Sequence, residues 1–229
     1  MNRIVLMSIV LGSAMSSSTS RAQSIICGPA YRNTTATQPQ VLILRPRVTI
    51  WKQTLLSKSE SEGTAEAVQA GFHGLLSRTF EEKGYSSRIE PSAMAQWEET
   101  APNDEAIKAL WDDYDSLFSP PYRPDCRKIL RTSLQGDLKK LTGSNDFDAV
   151  VLVRADGTVL TKAAAAVTYP WGPDRDLSFS ISVVDGKSGR FLYYCKSSAP
   201  RKYIDEPDLY ISGPARKCLK PYFSAAKHH

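Results

Sequence analysis

The first regular pattern of apolar and polar residues begins after residue 40. The segment VLILRPRVTIW, residues 41–51, opens with four apolar residues and then alternates, which predicts a strand buried on both faces that emerges toward solvent. Pro46 indicates a bulge or an edge within this strand. Apolar residues recur at helical spacing over residues 64–80, and Gly84 marks the end of that helix. A short strand over residues 85–91 completes a strand, helix, strand order.

The middle of the chain has a less regular pattern. Residues 92–124 form a predicted helical insertion, in which Asn103 is a good N-cap for a helix with one apolar side. A third helix is predicted over residues 126–141, with Gly143 just past its end. The uninterrupted apolar run in residues 147–157 then predicts a central strand that is covered on both faces.

Two further patterns lie between residues 158 and 183. Residues 158–169 contain four successive alanines and fit a strand or a helix, and we expect a strand. Residues 177–183 alternate apolar residues with Ser178, Ser180 and Ser182. This alternation predicts a strand with an apolar face toward the core and a face of serines toward solvent.

The end of the chain predicts a hairpin and a terminal helix. Asp185, Gly186 and Gly189 form a turn, after which apolar residues continue with period two up to Cys195, so residues 179–195 predict a β-hairpin. Strands that alternate with helices predict an α/β fold. We expect a mixed sheet of five or six strands with helices packed on it, the C-terminal hairpin and a terminal helix; an α+β arrangement stays open.

The first residues have the pattern of a secretory signal peptide. In residues 1–22, Arg3 precedes a short apolar run and a small polar stretch. The run is roughly half of the ~20 residues that a membrane span needs. We therefore expect cleavage after residue 22, an irregular lead-in over residues 23–39, and a single α/β domain over residues 40–229 that includes a C-terminal tail from residue 197.

Cys27 raises the question of lipidation, because bacterial lipoproteins are cleaved just before a cysteine. Ile26 stands where that signal has a small residue, so we expect a soluble periplasmic or secreted protein with no transmembrane segment in the mature chain. Removing residues 1–22 lowers the formal net charge from +5 to +3, because Arg3 and Arg21 are lost and no acid is. The remaining basic residues are scattered, which makes nucleic acid an unexpected partner.

Four cysteines remain in the expected mature chain, and an even number in an exported protein favours two disulfides. Four cysteines allow three connectivities. We expect Cys195 with Cys218 and Cys27 with Cys126, because the first pair joins the tail to the sheet across a short loop. The sequence has no C-x-x-C spacing, so the usual signature of zinc or thiol redox chemistry is missing.

Candidate chemistry is sparse. Gly186-Lys187-Ser188 resembles the end of a phosphate-binding P-loop, but position 181 is Ile where that loop needs glycine, and a β-type sequence follows. His73 lies inside the first predicted helix, and no G-x-S-x-G accompanies it. The acids Asp112, Asp113 and Asp115 lack calcium-loop spacing. We expect no catalytic residue, cofactor or metal.

The ordered pieces resemble a known group of proteins. The strand VLILRPRVTIW, a helix closing in FEEKGY, the strand FDAVVLVRADG and the hairpin LSFSISVVDGKSGRFLYY are similar to the α/β domain of the TolB amino-terminal region, CsgG-type curli secretion lipoproteins and related periplasmic lipoproteins. The resemblance covers roughly residues 40–196. In that group the last hairpin carries the turn pattern vvD-x-x-tG-x-v, matched here by Val183, Val184, Asp185, Ser188, Gly189 and Phe191.

This resemblance implies a binding role, because members of the group are mostly non-catalytic envelope proteins that assemble with other envelope components. The chain departs from the group in its missing lipobox, its four cysteines and its cysteine-bearing tail. We expect a non-catalytic protein-binding or assembly module whose partner is another envelope protein. The alternative is a hydrolase with an unrecognised site near residues 92–124 and the loop of residues 163–176, which a cleft lined by acids and His73 would favour.

Overall fold

The computed structural model describes residues 25–28, 38–89, 104–118, 125–134, 147–168, 175–199, 203 and 205–224. Within these ranges a mixed sheet of eight strands has helices on it, which confirms the α/β fold class with more strands than expected. The strands are β1 (Ile25–Cys27), β2 (Gln40–Ile43), β3 (Arg47–Gln53), β4 (Lys58–Glu60), β5 (Ser86–Ile89), β6 (Ala149–Leu160), β7 (Arg175–Asp185) and β8 (Phe191–Ala199). The helices are α1 (Glu62–Glu81), α2 (Asp104–Phe118), α3 (Cys126–Arg131), α4 (Lys162–Thr168) and α5 (Pro207–Ser224).

The long strand β6 organises the sheet. It is antiparallel to β7 on one side and parallel to both β2 and β3 on the other, and the strand order is β1-β8-β7-β6-β2-β5. Val41 is opposite Ala149, whereas Arg47 is opposite Arg154, so the chain from β2 to β3 has one residue more than the stretch of β6 that it faces. This extra residue is a bulge next to Pro46, as the sequence predicts.

The sheet has two covered faces, each with its own apolar core. Val41 and Ile43 point to the first face, which α1 and α5 cover; Leu42 and Leu44 point to the second face, on which α2 and α3 pack. On the first face the rings of Phe80 and Phe223 join α1 to α5 with centroids 5.1 Å apart. The terminal helix is therefore part of the main core.

The expected solvent exposure of the serine face is wrong. Ser182 is fully buried and Ser180 is 8% exposed, because α2 lies over them. The apolar side of α2 supplies Leu110 and Trp111 to the second core, and its Tyr114 supplies a hydroxyl to the serines. The insertion thus provides a layer of the fold; residues 92–103, with Asn103, and 119–124 lie outside the described residues.

Two predicted elements change type or length. The alanine segment is the helix α4 and not a strand, since alanine has the highest helix propensity and Thr161 accepts a 2.8 Å hydrogen bond from the Ala165 amide at its start. The helix α3 ends at Arg131 instead of near residue 141, because Ser133 pairs with Arg190 beside the hairpin. Residues 135–146 lie outside the described residues.

The lead-in is not wholly irregular. Its residues Ile25–Cys27 form β1, which pairs antiparallel with β8 and places Ile26 opposite Cys195. The signal-peptide segment, residues 1–22, lies outside the described residues. Among the described helices, no helix combines the length and the apolar character that crossing a bilayer requires.

Candidate functional site

The most exposed large apolar side chain of the described residues, Leu56, lies at the turn between β3 and β4, residues 54–57, which we call the hairpin tip. Leu56 is 98% exposed and Leu55 is 54% exposed. The turn is ordered by its own polar groups: the Thr54 amide donates to the Ser57 carbonyl at 2.8 Å, and the Ser57 amide donates to the Thr54 hydroxyl at 2.9 Å. Both leucines are therefore presented to solvent on a pre-formed turn.

The helix α4 lies at the same end of the sheet as the hairpin tip. The Thr161 amide, just before α4, donates to the Gln53 carbonyl at the end of β3 over 3.0 Å. On α4, Val167 is 71% exposed. Three exposed lysines belong to the same end of the sheet, and one of them, Lys58, lies with its Nζ 4.5 Å from the ring centroid of Trp51. The lysines are Lys52, Lys58 and Lys162.

The strand β4 is an exposed edge of the sheet. Within the described ranges it pairs with β3 and with no other strand. Its residues Lys58, Ser59 and Glu60 are all exposed. An exposed strand edge offers unpaired backbone groups to another chain. The hairpin tip and the β4 edge together form the candidate binding site.

A charged cluster on the second face fixes α2 to the sheet. Arg47 of β3 and Arg154 of β6 are direct neighbours in the parallel ladder, and the carboxylate of Asp115 binds both, at 2.8 Å and 2.6 Å. Arg154 also donates to Asp156 at 3.1 Å. The three side chains are between a quarter and a half exposed, so this cluster positions α2 at the surface.

His73, the histidine considered for the hydrolase alternative, is buried against the first face of the sheet. His73 lies on α1 at 9% exposure, hydrogen-bonds to the backbone of Ile43, and has no partner for Nε2 among the described residues. Burial lowers the pKa of His73, and the nearby Arg45 lowers it further. The neutral ring is therefore the form that the fold favours.

The acidic residues of α2 do not approach His73. His73 packs against the first face, whereas Asp112, Asp113 and Asp115 belong to α2 on the second face, so the sheet lies between them. Among the described residues no three His, Cys, Asp or Glu side chains are arranged to hold a metal ion.

Gly186-Lys187-Ser188 forms the turn of the β7–β8 hairpin. The Asp185 carboxylate accepts hydrogen bonds from the amides of Lys187 and Ser188 at 3.2 Å and 2.7 Å. Strand β8, and not the helix that a P-loop needs, follows the turn. Gly189 has a positive φ of 67°, and a Cβ on Gly186 would collide with the Phe147 carbonyl oxygen. Both glycines are required by the shape of the turn.

The disulfides join Cys27 to Cys126 and Cys195 to Cys218, the two pairs that we expect from the sequence. The first ties β1 to α3 on the second face, and the second ties β8 to α5 on the first face. Next to the latter, the Tyr193 hydroxyl donates to the Cys218 carbonyl. Each helical layer thus has one covalent link to the sheet.

The exposed leucines are the part of the site that the sequence interpretation misses. The segment LSKSESEG, residues 56–63, is predicted as a loop from the sequence. A signal is nevertheless present, since two adjacent leucines in a polar turn have no core to face. The three-residue strand β4 is too short to show an alternating pattern.

Comparison with known proteins finds no matching family model and no matching curated protein. Among solved structures, the dodecamer of a PelC variant with one Leu-to-Met substitution, from Paraburkholderia phytofirmans, is 11% identical, with 87% of this chain and 96% of that chain covered at a TM-score of 0.39. Lipoprotein GNA1162 from Neisseria meningitidis is 14% identical, with 69% and 78% covered at a TM-score of 0.30. The LpoB C-terminal domain from Salmonella enterica is 10% identical, with 72% and 84% covered at 0.26. A bacterial lipoprotein is thus among the similar structures, and the resemblance to TolB and CsgG-type proteins stays a prediction.

Proposed function

We propose that this protein is a non-catalytic module of the cell envelope that binds another envelope protein through its hairpin tip. The observation that carries the proposal is the exposure of Leu56 and Leu55 on an ordered turn. Burying one leucine side chain at an interface is worth about 1.5–3 kcal/mol. Because the turn is already fixed by Thr54 and Ser57, binding requires little further ordering of the chain.

The charges around the hairpin tip favour a particular kind of partner. Lys52, Lys58 and Lys162 are exposed near the leucines, so an apolar pocket with an acidic rim would complement this end of the sheet. Such a surface has a central apolar anchor and a polar margin, which is the usual anatomy of a protein interface.

The cysteines support a location outside the cytoplasm. Both disulfides persist in oxidising compartments, where exported proteins fold. The sulfur of Cys27 is bonded to Cys126, and in this state it has no valence left for the thioether that anchors a lipoprotein. We therefore propose that the protein has no lipid on Cys27 and is located in the periplasm or secreted.

Site-specific photo-crosslinking in cells that export the chain tests the proposal. A photoreactive residue at Leu56 should form adducts with one recurring protein, which the additional change Leu55→Ser weakens. The matched control is the same photoreactive residue at Lys187. This residue is exposed and lies at the end of the sheet opposite to the hairpin tip. Identical adducts at both positions, or adducts with lipid alone, would contradict protein binding by the hairpin tip. Hydrolysis of an ester or peptide substrate that His73→Gln abolishes would contradict the non-catalytic role.

A further inference from the structure

The alternation of hydrogen bonds along the β3–β4 ladder shows which residues of β4 direct their backbone N–H and C=O groups toward β3. The Thr54 amide donates to Ser57 at one end of the ladder, and the Ser61 amide donates to Ile50 at the other. In an antiparallel ladder, hydrogen-bonded pairs alternate with pairs that are not hydrogen-bonded. Ser57, Ser59 and Ser61 therefore direct their backbone groups toward β3.

It follows that Lys58 and Glu60 direct their N–H and C=O groups away from β3, toward the open side of the strand. Their side chains lie on the same face of the sheet, since they are two residues apart. The edge therefore offers backbone donors and acceptors at two positions whose side chains have opposite charges.

We propose that β4 pairs antiparallel with β4 of a second copy of this chain, around a two-fold axis at Ser59. In this register Lys58 is opposite the partner's Glu60, and Glu60 is opposite the partner's Lys58. Each of these pairs is a hydrogen-bonded pair that exchanges both N–H···O bonds. The contact is isologous, because the same three residues are used on both chains. This inference goes beyond the proposed function, because it concerns the backbone edge of β4 and a second copy of this chain, whereas the proposed function concerns the leucines of the hairpin tip and another protein; Lys58 is common to both.

The charge pattern selects this register over its neighbours. A two-fold axis at Lys58 would place two lysines opposite one another, and an axis at Glu60 would do the same for two glutamates. Opposite charges across two strands stabilise the pair, whereas like charges destabilise it. A shift by one residue would bring inward-pointing backbone groups to the interface. Backbone phase and side-chain charge thus agree on Ser59 as the centre.

The pattern also accounts for selective pairing. Charged residues on an edge strand usually block association between sheets. Here lysine and glutamate alternate, so the edge is complementary to itself and repels an edge with another order of charges. Because β4 is only three residues long, we expect a reversible dimer that is favoured by low ionic strength.

Charge reversal tests the inference, with sedimentation velocity on the oxidised protein at up to millimolar concentration. We expect the natural chain to dimerise reversibly. Lys58→Glu and Glu60→Lys should each associate at least ~10-fold more weakly, because both cross-strand pairs then have like charges. The control is Lys187→Glu, which changes the net charge as Lys58→Glu does and should dimerise like the natural chain.

Mixing the two single variants gives the decisive measurement. One chain then has two glutamates and the other two lysines, so both cross-strand pairs are again complementary and a heterodimer should form. The double variant K58E/E60K should recover the homodimer. A natural chain that stays monomeric, single variants that dimerise normally, or a mixture that does not associate would each overturn the inference. Adducts from Leu56 with a different protein would be unaffected by such a failure, so the two proposals fail separately.

Discussion

The hydroxyl of Tyr114 lies 2.9 Å from the hydroxyl of Ser182, which joins α2 to the second face of the sheet inside the core. The same phenol lies 3.2 Å from the hydroxyl of Ser180. Burial raises the pKa of Tyr114, while the hydrogen bonds to both serines lower it. The neutral phenol thus hydrogen-bonds to two buried hydroxyls, of which Ser180 also bonds to Tyr194.

Replacing Tyr114 by Phe should lower the free energy of unfolding by about 1–3 kcal/mol, because the buried Ser182 hydroxyl loses its bond to the phenol and Ser180 keeps only its bond to Tyr194. Urea unfolding monitored by circular dichroism measures the change. In a double-mutant cycle, Tyr114→Phe and Ser182→Ala should cost less together than the sum of their separate effects. Additive losses would show that the two groups are not coupled.

Asp115→Asn should destabilise the protein by about 1 kcal/mol at low salt, because Arg47 and Arg154 then lie side by side without the carboxylate. The loss should shrink in 1 M NaCl, where exposed charges are screened. Asp112→Asn is the matched control on the exposed side of the same helix, and it should change stability by less than ~0.5 kcal/mol. Equal effects of the two variants would argue against the cluster.

Mild reduction of the folded protein should open Cys27–Cys126 before Cys195–Cys218. Cys126 is partly exposed, whereas Cys195 and Cys218 are at most 1% exposed and lie in the first core. A reductant must reach a sulfur atom to attack it. Alkylation at increasing times followed by peptide mapping should show Cys27 and Cys126 labelled first. Earlier labelling of Cys195 would mean that α5 opens before β1 does.

Stability should fall as the pH is lowered through the range in which His73 titrates. The folded state lowers the pKa of His73, and the ring in the unfolded chain has a pKa of about 6.5. The unfolded state therefore binds a proton more readily, so the free energy of unfolding is lost as the pH falls from about 6.5 toward the folded-state pKa. Unfolding measured from pH 7.5 to 5 should have a smaller slope in His73→Gln. If the free energy of unfolding of both proteins depended on pH in the same way, His73 would not be the cause of the loss.

The β7–β8 turn should tolerate changes at one position and reject them at the next. Gly186→Ala should cost more than ~2 kcal/mol, because its Cβ has no space beside the Phe147 carbonyl. Lys187→Ala should stay within ~0.5 kcal/mol, and neither protein should bind ATP. Gly63→Ala is the opposite control: nothing lies within 4 Å of a Cβ there, and the helix should gain up to ~1 kcal/mol. ATP binding with micromolar affinity that is lost in Lys187→Ala would contradict the interpretation of this segment as a surface turn.

The sequence predicts the hairpin well because period-two alternation and turn residues are local signals. It fails on Ser180 and Ser182, because alternation shows that two faces differ without showing what covers the polar one. A serine hydroxyl is small enough to be buried once a partner such as Tyr114 reaches it. That partner is 66 residues away from Ser180 in the chain, so only the folded arrangement reveals the contact.

The candidate site is harder to predict than the fold. Leu55 and Leu56 are apolar residues in a polar loop, and their exposure depends on where β3 and β4 end. The backbone phase of Lys58 and Glu60 follows from pairing with β3, which three residues of sequence cannot specify. By contrast, the cysteine pairing is one of three connectivities that the sequence allows, and the short loop from Cys195 to Cys218 favours the pairing that the structure has.

The bulge beside Pro46 divides one side of β6 into two zones with different outer neighbours. Before the bulge, β2 is followed by β5, which α1 connects to the rest of the chain; after it, β3 is followed by β4 and by no further strand in the described part of the chain. The hairpin tip and β4 can thus be lengthened, shortened or exchanged while β3 keeps its hydrogen bonds to β6. In this architecture, partner choice can diverge during evolution at little cost to folding.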